Sequence, residues 1–169
     1  MPSLDALFDS LTERRVTGVD IPGYLDREHG HPVFCPWSWS ACLRMDSGFL
    51  RLDSTGSGGQ LALAVVDKVE VPEPLLEGDE EFATTDYGHL FLAEATPRRI
   101  VRVRYATNAE SVPGLTVRCA EFTFEPHAVL FADPMWTFGI RLSGEGAYDR
   151  WVAETRENPE LPYQEREWG

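Results

Sequence analysis

The chain has 169 residues, a length that suits one domain, and its 43% hydrophobic and 25% charged content is that of an ordinary globular protein. A formal net charge of −13 repels nucleic acid and anionic membrane surfaces and favours a basic protein partner. No apolar run approaches the length that spans a bilayer, the first residues lack the basic-then-apolar pattern of a signal peptide, and the three cysteines match no zinc or redox spacing, so the expected setting is cytoplasmic with reduced thiols.

The first expected element is a helix over 4–15. Leu4, Leu7, Phe8 and Leu11 recur at i, i+3, i+4 and i+7, Ser3 can cap it, and Gly18 would stop it. Residues 19–32, with Pro22, Gly23, Gly30 and Pro32, read as a loop. From Trp39 the apolar period becomes two. "WSACLRM" and "GFLRLD" form strands joined by a turn at Asp46-Ser47-Gly48. Residues 60–71 form another strand. Residues 72–88, with two prolines and many acids, read as a long acidic loop, and "HLFLAEA" as a strand after it. "RRIVRVRYA", "LTVRCAEFTF", "AVLFAD" and "TFGIRL" follow as strands, with a reversal at Glu125-Pro126-His127. Tyr148, Trp151, Val152 and Thr155 mark a closing helix, and the tail is expected to dock Tyr163 and Trp168 on the sheet.

Strands that follow one another without intervening helices exclude a doubly wound parallel sheet. The expected fold is a single α+β domain, 1–169: a mainly antiparallel, curved sheet of about seven or eight strands, flanked by an N-terminal and a C-terminal helix.

Charge is spread unevenly. Residues 56–94 hold nine acids against one base, net −8, whereas residues 95–120 hold one acid against five bases, net +4. Pairing 99–105 with 115–119 as a hairpin puts Val101, Val103 and Tyr105 on one face with Leu115, Val117 and Cys119. Arg102, Arg104 and Arg118 then share the other. Phe122 and Phe124 have the opposite parity, so a bulge is expected near Ala120-Glu121. Like charges on adjacent strands repel and need neutralising. Either the acids of the 72–88 loop fold over the arginines, or an external anion binds Arg102, Arg104, Arg118 and His127, with Asp133 nearby.

Other chemistry is thinly marked. His29, His31 and Cys35 would share one face of a regular strand and are weak candidates for a metal, but Gly30, Pro32 and Pro36 interrupt that strand. "STGSGGQ" lacks the Gly-Lys-Ser/Thr ending of a phosphate loop, and no GxSxG or HExxH occurs. The sequence thus implies no catalytic residues and no cofactor. It favours an acidic interaction protein that binds a basic protein partner, as an antitoxin or immunity protein does. Glu73, Glu77, Asp79, Glu80 and Glu81 would supply charge, and Met135 and Trp136 apolar anchors.

Overall fold

The computed structural model describes residues 3–55, 59–92, 97–111, 115–135, 137–158 and 162–169. Helix α1 (Leu4–Asp9) starts where expected, with Ser3 Oγ accepting the Ala6 N–H at 3.1 Å. It is shorter than its apolar spacing suggests. After Asp9 the chain tightens into i→i+3 turns, Leu11 N to Phe8 O and Arg14 N to Leu11 O, which still bury Leu11.

Strand β1 (Arg15–Asp26) replaces the expected loop. It pairs with β3 (Ser40–Met45) up to Asp20, and then with β2 (Val33–Pro36) from Gly23 onward. Pro22 sits at this change of partner. Its carbonyl accepts the Trp37 N–H at 2.8 Å. Its missing N–H would face the same edge, where the two partner strands have parted, so the proline costs the sheet little. Gly18, expected to stop a helix, lies inside β1 directly under the Arg44 guanidinium, and a Cβ there would collide with it.

The β3–β4 hairpin (β4, Phe49–Ser54) is as the alternation implies, turning through Gly48 at φ +75°. Strand β5 (Leu61–Val66) adds to β4. The expected acidic loop instead holds a one-turn helix α2 (Glu73–Leu76) and strand β6 (Glu81–Asp86), which covers the other edge of β1. Prolines are tolerated in a first helical turn, so Pro72 and Pro74 do not prevent α2. The segment expected as a strand at 89–95 opens as helix α3 (Gly88–Phe91), and residues 93–96 lie outside the described residues. Asp86 starts that turn by accepting the N–H groups of both Val19 and Gly88.

Strand β7 (Arg98–Thr107) pairs with β9 (Cys119–Phe124), so that of the expected partner segment 115–119 only Cys119 joins its ladder. The two-residue β8 (Thr116–Val117) pairs with β5 instead. The parity of 115–124 changes at Arg118, between β8 and β9, since Val117 and Ala120 both lie in the main core while Cys119 faces the outer side, and a second irregularity falls on β7, between Ile100 and Arg102. It turns Val101 outward, 43% exposed, while Ile100 and Val103 both stay in the core. Then come β10 (Ala128–Met135), β11 (Gly139–Ser143), helix α4 (Ala147–Arg156) and β12 (Gln164–Trp168), which pairs with β7.

Among the described residues there are twelve strands and four short helices, more strands than the sequence suggests. Every ladder is antiparallel. Two of the helices, α2 and α3, fall within the run of strands. The main path runs β11-β10-β9-β7-β1-β3-β4-β5-β8. It does not close, yet its last strand leads through Arg118 alone into β9. The main core lies on the inner side of this path, where Val19, Leu43, Leu52, Leu63, Val103, Phe122 and Leu130 pack with Phe8 of α1. A smaller cluster of Ala106, Cys119, Phe131, Tyr148, Trp151 and Val152 forms on the outer side, beneath α4. The tail aromatics, expected on the sheet, meet helix side chains instead: Trp168, itself in β12, packs against Phe8 of α1, and Tyr163 lies edge-on to Trp151 of α4.

Candidate functional site

Because β7, β9 and β10 bury one face in the main core, their alternate residues look outward. Beside the start of α4 that outward face opens into a cleft of about 580 Å³. Arg102 and Arg104 come from β7, Glu121 and Thr123 from β9, and Val129 from β10. Pro126 and His127 come from the β9–β10 turn, and Glu145, Gly146 and Asp149 from the entry to α4.

One side of the cleft is locked. Glu121 is only 2% exposed, and Arg104 Nε donates to its Oε1 at 2.8 Å. Arg104 NH1 reaches Asp149 Oδ1 at 2.9 Å, and the guanidinium carbon lies 4.4 Å above the Tyr148 ring. Burial would lower the Arg104 pKa, but the bonds from Asp149 and Glu121 outweigh it and hold the guanidinium charged.

The other side is open. Arg102 is half-buried, and among the described residues its guanidinium has no hydrogen-bond or ion-pair partner; its Nε is fully buried without one. The neighbouring Thr123 hydroxyl is also buried without a partner. His127 and Glu145, which also line the cleft, are exposed, and Glu145 has no ion pair among the described residues.

The expected basic cluster is therefore divided. Arg102, Arg104 and His127 share the cleft. Arg118 does not, since its NH1 donates to the Gly59 carbonyl at 2.8 Å. Asp133 pairs with Arg141 at 2.9 Å on β10–β11; burial raises its pKa against the pull of Arg141 and Arg118. Neutralisation of Arg104 is internal, but by Glu121 and Asp149 and not by the acids of 72–88.

Those acids face water. Glu73, Glu77, Asp79, Glu80 and Glu81 are all exposed, and Glu81 pairs with Arg27 at 2.9 Å, each side chain 58% exposed. Leu76, 64% exposed, stands among them. Trp136 and the Met135 side chain lie outside the described residues. His29 and His31 are exposed in the turn before β2, so strand alternation does not align them with Cys35. Cys35 Sγ lies 3.9 Å from the Val33 carbonyl oxygen. Among the described residues no three His, Cys, Asp or Glu side chains are grouped to hold a metal ion. Cys42 and Cys119 are buried thiols, and burial pushes the first up to about 12 and the second well above its ordinary value, which makes them poor nucleophiles near neutral pH.

A second charged knot sits where β1, β3 and β6 meet. Arg44 donates to Asp20 at 3.0 Å and to Asp86 at 2.5 Å. Burial raises the Asp20 pKa despite Arg44. Burial would raise Asp86 too, but the Gly88 and Val19 N–H groups and Arg44 together hold it below the usual value.

Sequence reasoning missed Glu121, Thr123, Glu145 and Asp149. The signal for the first two was parity: they alternate with the inward Ala120, Phe122 and Phe124 and so share the face of Arg102 and Arg104. No helix among the described residues is long and apolar enough to cross a membrane. No family model matches this chain, and neither a curated protein nor a solved structure does.

Proposed function

We propose that the protein is an acidic interaction module that binds a basic protein partner through the α2–β6 segment, in the manner of an immunity protein or antitoxin. The observation that carries this reading is the state of its acids. All five of Glu73, Glu77, Asp79, Glu80 and Glu81 are exposed, and among the described residues only Glu81 is ion-paired. The exposed Leu76 offers an apolar contact inside that charged field, the combination of anchor and charged surround that protein interfaces use.

The test is association with the basic proteins encoded beside its gene, measured at low and high salt. Steering by this segment predicts an association rate that falls about ten-fold or more as salt rises, and again on reversing Glu77, Asp79 and Glu80 to lysine. No association at low salt, or equal association by the reversed variant, overturns the reading.

A second reading is that the cleft beside α4 takes a small molecule. One observation favours it: a half-buried guanidinium, Arg102, for which the described residues supply no acceptor.

A further inference from the structure

We infer that the cleft beside α4 binds a small zwitterion of the α-amino-acid type, its carboxylate on Arg102 and its ammonium group toward Glu145; this rests on the small-molecule reading of the same cleft. The first support is what Arg102 lacks. Guanidinium groups in proteins are held by acceptors, and a partly buried one left without any is costly. Two residues along the strand, Arg104 shows what a satisfied arginine looks like here, with carboxylates on two sides and a ring beneath. Arg102 has none of these, although it lines a space of about 580 Å³, roomy enough for a small molecule.

The second support is charge, which decides the class of ligand. The Arg104–Glu121–Asp149 group is closed on itself. Of the remaining lining charges, Arg102 is positive and Glu145 negative, each without an ion-pair partner among the described residues. Two arginines face three carboxylates, so these lining charges sum to −1 within a chain of net −13. A phosphate or dicarboxylate would bring more negative charge into that field. A molecule that carries its own ammonium group beside its carboxylate satisfies Arg102 and Glu145 together and adds no net charge. A planar carboxylate also matches the two-pronged geometry of a guanidinium. Thr123, from the strand beside Arg102, adds a hydroxyl to this wall.

Calorimetric and thermal-shift titrations of the full chain would use a panel of free α-amino acids, with acetate, butylamine and inorganic phosphate as probes of each charge alone. Saturable binding of at least one amino acid is expected, about ten-fold or more tighter than acetate or butylamine. Arg102→Met should abolish it. Glu145→Gln, at an exposed position that leaves the fold intact, should weaken it several-fold. Arg27→Met, remote from the cleft, should leave it unchanged. Tighter binding of acetate or phosphate than of any amino acid overturns the zwitterion and leaves a small-molecule site. Absence of binding by every probe overturns both. Amino-acid binding that survives Arg102→Met overturns the placement in this cleft.

Discussion

The protein handles acidic residues in two opposite ways. On the outer face of β7, β9 and β10, Glu121 and Asp133 are nearly buried and each is matched to an arginine, Arg104 and Arg141. On the α2–β6 segment, Glu73, Glu77, Asp79 and Glu80 are left to water and Glu81 makes a single exposed pair, while Asp86 at the strand's end belongs to the Arg44 knot. A buried carboxylate must be paired to be tolerated at all. An exposed one need not be, and pairing it gains little. The contrast separates charge that holds the fold from charge that is available to something else.

The largest break in this comparison should come from Arg104→Met. It leaves Glu121 buried without its partner, and a loss of about 3–5 kcal/mol in urea unfolding is expected. A loss below about 1 kcal/mol would mean that Glu121 is not held as the geometry implies.

The Arg44 knot sharpens the comparison, because its two carboxylates should respond to pH in opposite directions. Asp86 has a lowered pKa, so its contribution is present above 3.8, its ordinary value, and fades as pH falls through the folded value. Asp20 has a raised pKa, so its contribution is fullest below 3.8 and fades as pH rises through the folded value. Unfolding free energies measured against pH should therefore show wild type losing its advantage over Asp86→Asn on acidification, and gaining relative to Asp20→Asn. Matching slopes for both variants would contradict the burial and hydrogen bonding described for the pair.

The smallest effects belong to the open segment. Arg27→Met should cost less than about 1 kcal/mol, since both partners of the Arg27–Glu81 pair are mostly in water. Glu77→Lys and Asp79→Lys should shift stability by no more than about 0.5 kcal/mol while changing association with a basic partner. A large stability loss in either would place those acids in the first class and not the second.

How much of this was legible in the sequence follows from burial. In β4 the alternation was plain, because one face meets the core and the other meets solvent. Strand β1 was invisible because residues 18–23 are covered on both faces, so polar and apolar residues do not alternate, and Pro22-Gly23 resembles a turn. The run His89-Leu90-Phe91-Leu92 was too short for its period to distinguish strand from helix. At the cleft, the shared face of Arg102 and Arg104 was readable from parity. Asp149, which closes the Arg104 group, arrives from a helix 45 positions away, a distance no local pattern reports. The split of Arg118 from the other arginines was hidden for the same reason, since its acceptor, Gly59, lies 59 positions back.

The seam between α1 and β12 bears on how the chain matures during synthesis. Trp168 donates its indole N–H to Asp9 at 2.9 Å across 159 positions and packs its ring on Phe8, 5.9 Å between centroids. A nascent chain emerging from the ribosome therefore carries Phe8 without its final cover until the β12 residues are released. Truncation before Gln164 would leave that ring, and Tyr105 beside it, as a sticky apolar spot for chaperones or proteases to find.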